Sequence, residues 1–99
     1  MFTINKTVEN GKAILSPEGR LDTVTAPQVE NAVKEILPGL TELTFDFAKL
    51  EYISSAGLRV LLSAQKVMNA QGKMKVVNVN ETINEIFEVT GFSDMLTIE

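Results

Sequence analysis

Cysteine and histidine are both absent from the 99 residues. Their absence excludes thiol nucleophiles, serine–histidine pairs and the usual zinc sites. There is a single tyrosine to stack on a base, and the nine basic residues are dispersed, only Lys73 and Lys75 lying close together. With a net charge of −4, the chain carries no electrostatic footprint for a nucleic-acid backbone. The acids are scattered as well, which gives ordinary solubility and no acidic tail. Apolar runs are only a few residues long, so no segment is expected to span a bilayer. Met1-Phe2-Thr3-Ile4-Asn5-Lys6 lacks the basic region and apolar core of a signal peptide. A cytoplasmic location is therefore expected.

What is present is enough for one soluble domain over residues 1–99. The apolar share of 44% and charged share of 22% are those of a globular chain. Phe2 to Glu9 reads as a strand, with Phe2 and Ile4, and after them Lys6 and Val8, on one side. Asn10-Gly11 signals a type I′ hairpin turn, because both residues tolerate positive φ. Lys12 to Glu18 returns as a second strand, which Pro17 assigns to an edge or a strand end. Gly19-Arg20-Leu21-Asp22 then reads as a loop.

Thr25 opens the first predicted helix, with Gln28 three residues on as a capping box. Val29, Ala32, Val33, Ile36 and Leu37 share one face, and Pro38-Gly39 stops the helix. Leu43, Phe45 and Phe47 alternate in a half-buried strand extending to Ala48. The second helix runs to about Ala70, with Leu58, Leu61, Leu62 and Gln65 at helical spacing. Val60, Ala64 and Val67 widen its apolar face, and Leu58, Leu61, Leu62 and Met68 are expected in the core. Gln71-Gly72 ends it, and Met74 to Val79 forms a further strand. Asn80 caps a third helix carrying Ile83, Ile86, Phe87 and Thr90, with Gly91 at its C′ position. Phe92 to Glu99 is left as a short strand or a final turn. Hairpin, helix, strand, helix, strand, helix and tail make an α/β domain. Its mixed sheet joins the N-terminal hairpin to parallel strands, with helices mainly on one face.

Between the central strand and the second helix lies Tyr52-Ile53-Ser54-Ser55-Ala56-Gly57-Leu58. A serine there can cap the helix by accepting a backbone N–H bond. The same N–H groups and the helix dipole stabilise an anion, including a phosphate on the serine itself. Capping and phosphorylation are compatible. Gly57 is small for close packing or for access, since one glycine is no phosphate loop. Arg59 reads either as a solvated first-turn residue or as a partner contact, and Asp22 as a turn cap or a partner contact. Asp22, Asp46 and Glu51 invite comparison with an acidic phosphoryl-acceptor cluster. Against this, Asp46 sits inside the strand pattern and no paired acids mark a strand end.

The serine junction, the Gly19-Arg20-Leu21-Asp22 segment and Val89-Thr90-Gly91-Phe92 together resemble the STAS domain family. The likeness is to its stand-alone bacterial members, the anti-sigma factor antagonists, and covers nearly the whole chain. It implies a non-enzymatic module with no catalytic, metal-binding or cofactor-binding residues. It implies phosphorylation at Ser55, two residues before the Gly-Leu pair, with Ser54 the second candidate where many members carry Asp. Asp22, Ser54, Ser55, Gly57 and Arg59 are the implied partner-binding residues, with the Asp22 loop near the start of the second helix. The implied partners are an anti-sigma factor with serine kinase activity and a serine phosphatase, which supply the ATP and the metal. Release of a sigma factor in transcription or stress regulation would be the outcome. Two rivals stand beside this expectation. One is a STAS scaffold or regulatory subunit in a lipid-transport or stress-signalling assembly. The other is a small enzyme using Asp22 or Ser55, weakened by the lack of a base beside the serine.

Overall fold

Asn10 and Gly11 hold φ of 52° and 77°, so the chain reverses at once as the hairpin signal required. Strand β1 (Thr3–Glu9) is thereby folded back antiparallel on β2 (Lys12–Leu21), in register from Glu9 opposite Lys12 to Thr3 opposite Glu18. The computed structural model describes residues 2–99; Met1 lies outside them. Then follow α1 (Ala26–Ile36), β3 (Glu42–Asp46), β4 (Leu50–Ile53), α2 (Ser55–Gln71), β5 (Lys73–Val77) and α3 (Glu81–Thr90). The tail makes a single 3-10 turn at Phe92–Asp94 and one parallel bridge from Ile98 to Val76, combining both expected forms.

The sheet runs β1-β2-β3-β5, and β4 pairs with β2 as well. β2 is thus a central strand, contrary to the edge position inferred from Pro17. β3 lies parallel to its first part, Lys12–Leu15, and β4 parallel to its last part, Gly19–Leu21. Pro17 falls between the two ladders, opposite Ile4 of β1, where its missing N–H is not called on by β3 or β4. Gly19-Arg20-Leu21 is consequently strand and not loop, with a register irregularity at Gly19/Arg20. The expected strand from Leu43 to Ala48 is β3, ending at Asp46, and a further strand, β4, follows it that the sequence did not mark. The Leu50 N–H turns back to the Phe47 carbonyl at 3.0 Å, and β4 starts there.

Alternation along β2, β3 and β5 buries Ala13, Leu15, Leu43, Phe45, Met74 and Val76 on one face. Val29 and Val33 of α1, Leu61 and Met68 of α2, and Ile83 and Phe87 of α3 complete one apolar cluster with them. The helices thus cover one face of a mixed α/β sheet. The opposite face is open: Ile14 is half-exposed there, and the cross-strand pair Lys12–Glu42 closes a 3.0 Å ion pair. On the helix side Lys6 reaches Glu35 of α1 at 3.2 Å, whereas Val8 is exposed. Leu62 is only partly buried and Val67 is exposed, so the buried face of α2 is narrower than its apolar pattern. Asn80 caps α3 as its sequence predicted: its Oδ1 accepts the Ile83 N–H at 2.8 Å, and Gly91 closes the helix at φ 81°.

Candidate functional site

The parallel pairing of β2 with β4 sets Leu21 beside Ile53, and each strand then leaves the sheet in a short loop. Asp22 opens one loop and Ser54 the other. The Ser54 N–H donates to the Leu21 carbonyl at 2.8 Å, joining the two loops at their roots. The Asp22 loop therefore lies beside the start of α2, where the family resemblance expected it.

Asp22 organises its own loop. Its Oδ1 accepts the Val24 N–H at 3.0 Å and the Thr25 N–H at 3.1 Å. The Asp22 N–H donates to the Thr25 hydroxyl at 2.9 Å, and that hydroxyl donates to the Arg20 carbonyl at 2.7 Å, with Asp22 Oδ1 the alternative acceptor at 3.2 Å. The Thr25 N–H above all holds the Asp22 carboxyl below its ordinary range; desolvation, next in size, opposes it, and the Val24 N–H, the Thr25 hydroxyl and the charge of Arg20 add to the lowering. The expected Thr25–Gln28 capping box does not form. Thr25 already has helical φ and ψ, and its hydroxyl is spent on the loop behind it.

Neither serine caps α2 through its side chain. Ser54 holds the N-cap position with extended backbone, but its Oγ is buried and has no hydrogen-bond partner among the described residues. Its carbonyl takes the Leu58 N–H at 3.0 Å and so starts the helical ladder. Ser55 is one residue further on, the first helical residue, and is exposed. The two hydroxyls are thus sorted by position, one turned inward and one presented outward at a helix N-terminus. A negative charge on Ser55 would lie against the positive end of the α2 dipole.

Gly57 stands beneath this surface and not on it. A Cβ there would come 2.7 Å from Leu21 Cγ and 2.8 Å from Ile53 Cγ1. The bare backbone lets α2 lie directly on the two residues that root the loops. Its side-chain-free face is therefore a packing contact, whereas Ser55 and Arg59 are exposed and Asp22 is partly so. Arg59 is exposed one helical turn after Ser55, on the same side of α2.

Two neighbours escaped the sequence reading. Val24 is 81% exposed in the Asp22 loop, an apolar side chain set in water by a carboxylate-anchored turn. An apolar residue between two threonines, before the helix had begun, was its only signal. Arg20, opposite Tyr52 in the β2–β4 ladder, lies 4.5 Å from the centre of that ring. Asp46 ends β3 rather than sitting inside it, and its Oδ1 accepts from the Ala48 N–H at 3.0 Å and from Asn78 Nδ2 at 2.9 Å. Among the described residues, Asp22, Asp46 and Glu51 are not brought together as an acidic cluster. No described helix is long and apolar enough to cross a membrane.

The same architecture recurs in known proteins. A solved anti-sigma factor antagonist from Mycobacterium paratuberculosis superposes with a TM-score of 0.89 at 22% identity, over 99% of this chain and 85% of that one. SpoIIAA in its unphosphorylated form matches with a TM-score of 0.76 at 18% identity, over 100% of this chain and 87% of that one. These likenesses concern the fold. In sequence, BtrV of Bordetella bronchiseptica is 31% identical over 90% of this chain and 78% of its own length. An anti-sigma-B factor antagonist of Listeria monocytogenes is 30% identical over 82% of this chain and 73% of its own. The STAS domain model matches residues 3–99, from the first strand of the hairpin through the bridge that ends the tail. A match that takes in both loops, the helix they frame and the whole sheet beneath them makes this chain a member of the STAS domain family.

Proposed function

We propose that this chain is an anti-sigma factor antagonist whose binding is switched off by phosphorylation of Ser55. The observation that carries the reading is the exposure of Ser55 at the first position of α2, beside the anchored Asp22 loop. Relatives named as antagonists of anti-sigma factors support the choice of partner. In the unmodified state the Asp22 loop, Ser55 and Arg59 form the contact surface for an anti-sigma factor with serine kinase activity. Occupation of that factor frees its sigma factor. Transfer of the γ-phosphoryl group of ATP to Ser55 Oγ breaks the complex, and a serine phosphatase restores it. The kinase brings the ATP and keeps the ADP, the phosphatase removes the phosphoryl group with water, and any metal belongs to these partners.

The electrostatics have opposite signs in the domain and at the interface. A phosphate adds about −1.5 to −2 charges at neutral pH. Within the domain the N-terminus of α2 accommodates that charge with a gain of about 0.3–1 kcal/mol. Against a fitted partner the same charge has to be desolvated, and an unpaired buried charge costs several kcal/mol. Turning a 99:1 occupancy into 1:99 takes roughly 5.5 kcal/mol of differential affinity. The switch thus acts by disrupting the interface, with the fold intact.

The test is incubation with ATP and each kinase-type anti-sigma factor of the source organism, with mass mapping of the product. Modification at Ser55, binding retained in Ser55→Ala and binding lost in Ser55→Asp are the expected results. If no such factor binds or modifies the protein, the proposal fails. Equal binding by the two variants points instead to a STAS scaffold without a phosphoswitch.

A further inference from the structure

Ser55 and Asp22 are small polar groups, and polar rims contribute little to affinity compared with apolar anchors in desolvated pockets. Directly beside them the surface opens into a groove of about 450 Å³ between α1 and α2. Its walls are mainly apolar and include Ala26, Val33 and Leu37 on one side and Ala56, Val60 and Val67 on the other. The α2 wall follows the helical repeat and begins at Ala56, the residue after Ser55. Thr23 of the Asp22 loop lines the same groove, so it is continuous with the surface proposed above. Val67 is 40% exposed at one wall, an apolar side chain with no cover.

Charge also distinguishes the walls. Glu30 and Lys34 of α1 neutralise each other at 3.0 Å. Arg59, which lines the groove from α2, forms no salt bridge among the described residues. The groove therefore presents an apolar channel and one uncompensated cation near Ser55.

We infer that the groove receives an amphipathic helix of the anti-sigma factor, whose apolar face fills it and whose carboxylate pairs with Arg59. This deepens the functional reading above and rests on it. A helix lying in a groove supplies apolar side chains at i, i+3, i+4 and i+7, the repeat with which α2 lines its wall. Arg59 is four residues after Ser55, the spacing at which an acid and a following base meet on a helix. Phosphate on Ser55 then acts twice. It takes Arg59 in a charge-assisted pair, and it sets its own negative charge against the partner's carboxylate.

The experiment measures binding of the unphosphorylated full chain to each anti-sigma factor kinase of the source organism by calorimetry. Val67→Glu is expected to weaken binding at least about tenfold, and Arg59→Gln several-fold. Val89→Glu, at an 87% exposed position on α3, is the control and should bind as the wild type does. Thermal melts establish that each variant is folded, and Val67→Ser, a milder change, should show a smaller loss in the same direction. Wild-type binding with Val67→Glu and Arg59→Gln unaffected overturns this inference, together with the Arg59 contact, and leaves the Ser55 phosphoswitch standing. Failure of the wild type to bind any of the kinases overturns both. A partner-free arm uses protein with phosphoserine encoded at position 55. In a ³¹P titration its phosphate should lose the second proton at lower pH than in the R59Q background, and equal titration overturns the capture by Arg59.

Discussion

Replacing Gly57 by alanine tests whether close packing under the site holds its two loops together. The new methyl group would lie 2.7 Å from Leu21 Cγ, 2.8 Å from Ile53 Cγ1 and 3.1 Å from Leu21 Cδ2. Neither neighbour can swing into solvent, since Leu21 is 0% and Ile53 1% exposed. Overpacking of this kind costs about 1–3 kcal/mol. Alanine returns up to about 1 kcal/mol through helix propensity, less in a first turn. The net expectation is a loss of about 1–2 kcal/mol, equivalent to a midpoint about 5–15 °C lower for a domain of this size.

Thermal unfolding followed by far-UV circular dichroism reads that shift. Ser63→Ala, at an exposed position of the same helix, isolates propensity and should move the midpoint slightly upward. The clash is specific, so Leu21→Ala should make the glycine substitution less damaging than it is in the wild-type background. Gly57→Ala that melts at or above the wild-type temperature refutes the reasoning, because Leu21 and Ile53 would then yield at no cost. The displaced residues are those that precede Asp22 and Ser54. Faster hydrogen exchange at the Ser54 N–H, which is bonded to Leu21, is therefore the accompanying result.

Other substitutions separate residues that look alike in the sequence. Asn80→Ala removes the bond to the Ile83 N–H and leaves the Leu50 carbonyl without Asn80 Nδ2, so chemical denaturation should show a loss of about 1–2 kcal/mol. Ser54→Ala, also at an N-cap, removes a buried hydroxyl that bonds nothing among the described residues, and should leave stability within about 0.5 kcal/mol or raise it. Ser55→Asp places a charge at the N-terminus of α2 and should melt at or slightly above the wild-type temperature. Asp22 has a lowered pKa in the fold, so its contribution is complete above the ordinary carboxylate range and fades as pH falls through the lowered value. The stability difference between wild type and Asp22→Asn, from urea midpoints at about pH 7 and about pH 3, should therefore shrink at the acid end.

Local chemistry made part of this fold legible. Asn10-Gly11 must turn, and Asn80 with Gly91 brackets a helix, because those residues satisfy backbone geometry by themselves. β4 was missed for an equally local reason: buried Phe47, Leu50 and Ile53 follow Leu43 and Phe45 with no glycine or proline to mark the turn. Pro17 misled because the edge rule assumes one neighbour along a whole strand, whereas β2 changes neighbours beside the proline. At the serines, residue type located the helix start but not which hydroxyl faces outward. That depends on how β4 delivers the chain to α2, a tertiary property. Thr25 shows the same limit, since its hydroxyl had a better use in the Asp22 loop than at the helix it precedes.

The shared roots of the loops also bear on what kind of switch this platform allows. Asp22 and Ser54 follow two residues paired in one ladder, Leu21 and Ile53, and both carry the weight of α2 at Gly57. Moving one loop without the other would break the Ser54–Leu21 bond and open a packed contact. On the proposed reading, phosphate at Ser55 gains only about 0.3–1 kcal/mol from the helix terminus, far too little to offset such a rearrangement. Reversing occupancy takes roughly 5.5 kcal/mol, so nearly all of it has to arise where the partner meets the phosphate. A rigid platform favours that division. The free domain is almost indifferent to the modification, and the discrimination falls on the complex.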